Sequence, residues 1–521
     1  MKRTGQKFRF VALICLLLLV TSADAYAETP TDRVTSKIPD AGPGGYTRIT
    51  FYESLNGANY SIQPNADHPN FSSVLKVCSE SSDAECIESL SYRKKGDTNW
   101  AQGKLLPTKN PSMNGITAIT FTKDGSTQTY GPVSSNTATG RPAGDMSSNW
   151  DLPGAKHLGG SEYLLSVNVS NFPRGYVSDA YDFSISLSAV QWKTPPPFGL
   201  YDKTANSTTQ FNLPNDFEFQ VKVRLGLIEN KIINWYNGRI SNPIIDLSNG
   251  VLTISGSPTY FPIAGTNYFK CSEILGEKRL AIINTYGESS LNGPMCNDLS
   301  GSSYGASPQD PWGFKAFDLW ESELKEYGKN SAWSITASSN LGVCGSSEIA
   351  GVVSSNALLY TVTPPTFDSI SRTLSYRIAS THLDASGEIN KGRFNLVLNK
   401  KVAECLWGIN PKNIAEAKVQ VTYSDGKPIV GTSTMNIKDN WVYIDIENFT
   451  FSSPTFNIKA FEEIKTIKDP SVTLIPSPSP KSTIKPTVTT NKKFTISCVK
   501  GKISKKVTSV NPKCPAGYKK K

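Results

Sequence analysis

Along most of the chain the apolar positions alternate rather than recur at helical spacing. Thr47 to Leu55 (TRITFYESL), Ile116 to Lys123 (ITAITFTK), Tyr163 to Val169 (YLLSVNV), Tyr181 to Trp192 (YDFSISLSAVQW) and Phe217 to Leu227 (FEFQVKVRLGL) are rich in β-branched and aromatic residues. Partial period-two alternation in such runs predicts half-buried strands. The pairs Asp124-Gly125, Asn249-Gly250 and Asp425-Gly426 lie between alternating runs, and these residue pairs tolerate the positive φ that two-residue hairpin turns demand. NPIIDLS-NG-VLTISG around Asn249 is the clearest predicted hairpin. From Arg372 to Phe461, TLSYRIAS, GRFNLVLN, AKVQVTYS, WVYIDIENFTF and PTFNIKAF give five more strands within about 90 residues, close to the size of an immunoglobulin-like sandwich. The cysteine-tryptophan-cysteine spacing of a true immunoglobulin domain is missing. Many hairpins with few helical periods predict a mainly β protein built of two or more antiparallel β-sandwich-like domains.

Helical spacing is confined to short stretches. Asp310 and Pro311 suit a cap and a first turn, and Phe317, Trp320, Leu324 and Tyr327 then recur at intervals of three, four and three before Gly328, predicting a core-facing helix near 311–328. KKVAECLW, Lys400 to Trp407, predicts a second short helix that plants Cys405 in the core. The chain is accordingly divided into an N-terminal β-rich region at 28–265, a mixed segment at 266–365 and a sandwich domain at 366–468. Residues 469–493, with five prolines and many Ser/Thr, suit an extended spacer in which no core can form. Residues 494–521 read as a small hairpin tail.

The first 27 residues change the picture of where the protein acts. Lys2 to Arg9 is followed by the apolar run Phe10 to Val20 and then by Ala25-Tyr26-Ala27, the layout of a secretory signal peptide cleaved before Glu28. Eleven apolar residues are fewer than the ~20 a bilayer requires, so no transmembrane span is expected in the mature chain. Removing Cys15 with the signal leaves Cys78, Cys86, Cys271, Cys296, Cys344, Cys405, Cys498 and Cys514, an even set that suits disulfides in an exported protein. Proximity favours pairing 78 with 86, 271 with 296, 344 with 405 and 498 with 514. No C-x-x-C occurs and His68, His157 and His382 are far apart in sequence, so neither a metal nor another cofactor is expected.

Charge is unevenly placed. The formal net charge is +10, yet residues 481–521 hold twelve lysines and no acid, while residues 28–480 carry a net of −5. The tail cations Lys500, Lys502, Lys505, Lys506, Lys513, Lys519, Lys520 and Lys521 are candidate polyanion contacts. With no arginine fork and only Phe494 and Tyr518 as aromatics, the tail lacks the marks of a nucleic-acid reader. For an exported protein the matching partners are anionic cell-wall polymers or a membrane surface.

Three stretches carry a resemblance. The tail, SCVKGK from Ser497 and PKCPAGYKKK to Lys521, resembles a lysine-rich C-terminal module found on varied exported proteins of actinobacteria. Thr381 to Gly408 and Trp235 to Pro258 resemble segments of uncharacterised secreted proteins from the same group. The resemblance implies a bacterial exported protein of β-rich fold and brings no activity with it.

Catalytic signals are sparse. Gly301-Ser-Ser303-Tyr-Gly305 matches G-x-S-x-G, but no apolar strand precedes it and Pro308 and Pro311 interrupt the helix that should follow, so a Gly/Ser loop is expected. His382, Asp384 and Glu388 gather an imidazole and two carboxylates in seven residues. They suit either acid–base work or an interstrand loop. Two functional readings stand. One is a secreted or cell-envelope-associated binding or structural protein, loosely held to anionic polymers by its basic tail. The other is an extracellular hydrolase, acting on glycans.

Overall fold

The Asp182–Trp192 strand shows how alternation becomes structure: Phe183, Ile185, Leu187 and Ala189 are buried, and the residues between them are half-buried, as the period-two geometry of a strand requires. The computed structural model describes residues 46–51, 53, 61–63, 71–81, 83–107, 119–123, 126–130, 133–136, 140–171, 181–192, 208–286, 302–306, 313–344, 349–408, 418–423, 432–451, 455–461, 494–500, 503–509, 514 and 518–520. Residues 1–27, expected to be a signal peptide, and 469–493, expected to be a spacer, lie outside them. The protein is mainly β, with short α-helices at Gly276–Tyr286, Gly313–Trp320 and Lys400–Trp407 among the described residues. It divides into two compact units, Met1–Glu463 and Ile464–Lys521.

The larger unit is organised by one run of strands. Glu162–Asn171, Asp182–Trp192, Lys325–Ser339, Trp235–Ser248, Gly351–Ser355, Lys391–Asn399, Trp441–Thr450 and Thr432–Lys438 lie side by side in that order. Only the join between Trp235–Ser248 and Gly351–Ser355 is parallel. This run crosses both expected boundaries, at 265/266 and 365/366, so the three segments are joined by shared ladders rather than set apart as separate sheets.

Three long strands make the sheet corners. Trp235–Ser248 pairs with Lys325–Ser339 through its first residues and with Val251–Gly265 through its last. The switch falls between Arg239 and Ile240, just ahead of a register slip between Ser241 and Ile244. Asn242 in that slip has φ 52°, and Pro243 has no N–H to give a ladder, the setting of a bulge that bends a strand at a sheet corner. Gly256 sits opposite: a Cβ at that position would come within 2.8 Å of the Ser241 carbonyl oxygen. Val251–Gly265 then leaves Phe217–Arg224 for Lys325–Ser339 and Tyr46–Phe51.

Three cores result. The first includes Trp150, Tyr163, Phe183, Phe219, Tyr236 and Trp333. The second lies between the strands Lys391–Asn399 and Trp441–Thr450 and a separate sheet containing Thr373–Ala379, Thr455–Phe461 and Lys418–Tyr423. Phe394 meets Phe456 at 5.3 Å between ring centroids there. The third packs Phe317 and Trp320 against Ile49, Phe51 and Ala264. A cation is sealed inside. Arg239, fully buried, donates through Nε to Glu53 (2.6 Å) and through Nη1 to the carbonyls of Ser355 and Ala357 (2.8 and 2.6 Å), and its guanidinium lies 4.2 Å from the Phe261 ring centre and 4.5 Å from that of Tyr360.

Local expectations and structure differ in a few places. The helix expected near 311–328 covers Gly313–Trp320; Glu321–Glu323 form one 3-10 turn and Leu324 is extended at φ −70°, ψ 135°. Tyr327 belongs to the next strand, where ladder pairing with Val251–Gly265 outweighs local helical spacing and its hydroxyl donates to the Thr266 carbonyl at 2.9 Å. Lys400–Trp407 is a helix, N-capped by Asn399 and closed by Gly408 at φ 62°, the usual end for a short helix. Its buried side is Val402, Ala403, Leu406 and Trp407, and Cys405 is exposed rather than in the core. Asn249 and Gly250 both take positive φ, 54° and 74°, between Ser248 and Val251, as a type I′ hairpin requires. Asp425-Gly426 lies outside the described residues, and the strands on either side of it belong to different sheets.

Candidate functional site

The smaller unit is built on a hairpin. Phe494–Lys500 pairs antiparallel with Ile503–Ser509 on one edge and with Lys519–Lys520 on the other. So few residues bury too little apolar surface to hold themselves together, which makes a covalent closure structurally important. The Cys498–Cys514 disulfide supplies it, with the two Cα atoms 5.6 Å apart and Cys498 fully buried. Lys505 and Lys520 are both register partners of Cys498; Lys506 pairs with Ser497 and Lys519 with Val499. Lys506 and Lys519 are exposed. Lys500 pairs with Ile503. Lys502, Lys513 and Lys521 lie outside the described residues.

The larger unit carries its own bonds. Cys78 joins Cys86 and Cys344 joins Cys405, with Cα separations of 5.1 and 5.9 Å. Cys271 is also disulfide-bonded, and Cys296 lies outside the described residues. The loop inside the first bond is organised by Asp83, whose carboxylate accepts from Lys76 Nζ and from the backbone N–H groups of Ser79 and Glu80. These contacts, Lys76 first, hold its carboxyl well below the usual range. Among the described residues no group of three His, Cys, Asp or Glu is placed to hold a metal, and no helix is long and apolar enough to cross a membrane.

The His382–Glu388 cluster is a self-contained loop. Asp384 Oδ1 accepts from the N–H groups of Ser386 and Glu388 and from the Ser386 hydroxyl, and these bonds, the hydroxyl first, lower its pKa. Its Oδ1 is thereby engaged in shaping the turn, and Glu388 is exposed. His382 Nδ1 donates to the Phe451 carbonyl at 3.0 Å. The loop ends on Asn390, which is buried and donates to Glu326 Oε2 at 2.8 Å. Burial raises the pKa of Glu326. The G-x-S-x-G serine lies neither in a loop nor on a turn between strand and helix. Ser302–Ala306 is a strand in parallel register with Tyr46–Phe51, and Ser303 is the ladder partner of Arg48.

One feature has no counterpart in the sequence reading. A cavity of about 440 Å³ is lined by Glu229, Asp246, Asn399, Glu404, Asp439 and Trp441, with Lys400 and Lys401 also at its wall. Its residues come from five separated stretches, so no motif or spacing announces it. Mixed charges and a largely buried Trp441 give it hydrogen-bonding walls of both signs. Comparison with protein families, with curated proteins and with solved structures finds no match to this chain.

Proposed function

We propose that this is an exported, cell-envelope-associated binding or structural protein held to anionic surface polymers by its lysine-rich C-terminal unit. The observation that carries the reading is the uneven placement of charge: twelve lysines and no acid over residues 481–521, against a net of −5 over residues 28–480. The disulfides are in keeping with an oxidising compartment, and the resemblance of the tail to a module of exported actinobacterial proteins points the same way. Lysines here act as point charges on a polyanion, so the attraction weakens with salt. Asp384 and Glu388 lend no support to a hydrolase, because the first is engaged by its own loop. Retention on washed cells, compared between the full chain and one ending at residue 480 over a salt series, tests the proposal. Salt-sensitive retention that is lost with the tail is expected; unchanged, salt-insensitive retention would overturn it.

A further inference from the structure

We infer that the polyanion surface is a folded object assembled across three strands by the Cys498–Cys514 bond, rather than a loose string of lysines. The inference rests on the polyanion reading above and specifies the surface and its partner, a linear polyanion. Lysine positions occupy both outer strands: Lys505 and Lys506 on Ile503–Ser509, Lys519 and Lys520 on the short C-terminal strand, with Phe494–Lys500 between them. Ser497 and Val499, the partners of Lys506 and Lys519, are two residues apart on one strand and so share a face. Lys506 and Lys519, both exposed, thus stand on that face with backbones roughly 12 Å apart, taking strands ~4.8 Å apart and ~3.4 Å per residue. Lys505 and Lys520 are the backbone register partners of Cys498 on the two outer strands.

The weak point is the last strand. Lys519–Lys520 is held by pairing to Cys498 and Val499 alone, and two residues of ladder do not stay paired by themselves. Cys514, five residues before Lys519, is bonded to Cys498, so the disulfide pins the chain beside the residue at which the ladder must form. Without the bond, Lys519 and Lys520 leave the surface although the lysine content is unchanged. A linear polyanion crossing the sheet loses the cations of its last strand, whereas one binding a loose string loses none.

The test uses the full chain and long-chain inorganic polyphosphate, with affinity measured over a salt series. Cys498→Ser/Cys514→Ser removes the bond and keeps every lysine; Lys519→Gln/Lys520→Gln keeps the bond and removes the two charges. Both variants are expected to bind about thirtyfold more weakly near physiological salt, reckoning each lysine as for cations near an anionic surface. Their log–log salt slopes should fall by about 2. Wild-type affinity in the double serine variant would overturn the folded surface and leave the polyanion reading standing. Wild-type affinity in the double glutamine variant would also overturn it, by removing the last strand from the surface. No binding by the wild-type chain would overturn the polyanion reading itself.

Discussion

Replacing Arg239 with methionine should destabilise the larger unit more than almost any surface change. The substitution preserves much of the apolar stem but leaves the Glu53 carboxylate without its cation and the carbonyls of Ser355 and Ala357 without their donor. Breaking a buried pair by removing one partner costs about 3–5 kcal/mol, and the lost ring contacts with Phe261 and Tyr360 add about 0.5–1 kcal/mol each. These terms belong to one network and do not sum freely, so about 4 kcal/mol is expected. Urea unfolding followed by tryptophan fluorescence reads it: with a slope of about 4 kcal/mol per molar for a unit this large, the midpoint falls by about 1 M. Adding Glu53→Gln to Arg239→Met removes the stranded charge and should recover about 1–2 kcal/mol. A midpoint shift below about 0.2 M, or a double variant no more stable than Arg239→Met alone, would refute the reasoning.

His157 is buried between Tyr163 and Phe211, with ring centroids at 5.1 and 5.4 Å. Its Nδ1 accepts from Gly159 N–H, so Nε2 donates to the Glu162 carbonyl. Burial depresses its pKa, so its contribution is present above pH ~6.5 and is lost as pH falls through the folded value. His157→Gln should be less stable by about 1–2 kcal/mol at pH 7.5 but should lose less between pH 7.5 and 5, as urea midpoints will show; equal losses would contradict the burial account. Glu326 works in the opposite direction: its raised pKa means a contribution fully present below pH ~4.5 and lost as pH rises through the folded value. Glu326→Gln should therefore gain on the wild type between pH 4 and 7, and parallel stability curves would show that burial is not what shifts the group.

Much of the fold was legible because alternation is local. Phe183, Ile185 and Leu187 announce a strand with one buried face, and Asn249-Gly250 announces its turn whatever lies elsewhere. The joining of strands was not legible. Ser184 pairs with Thr336, and Gly238 with Ser354, and no spacing within either segment encodes such partners. Trp235–Ser248 changes ladder between Arg239 and Ile240, and its pairing with Val251–Gly265 then carries on past a register slip at Asn242-Pro243. Thr432–Lys438 offers only Met435 and Ile437, both half-buried, as an apolar face, so its place as an outer strand had little hydrophobic signal. The tail was readable as a cluster of charge, but the placement of its lysines on three strands follows only from the register around Cys498. The cavity of mixed charge beside Trp441 draws on segments as far apart as Glu229 and Asp439, beyond the reach of any linear pattern.

Elution from a polyphosphate-coupled resin, for the full chain and for one ending at residue 480, tests most directly whether the basic unit alone holds the protein to polyanions. The account predicts that the full chain is retained and released by rising salt, and that the truncated chain, net −5 over residues 28–480, passes through. Equal retention of both chains, or release of the full chain that does not depend on salt, would contradict it.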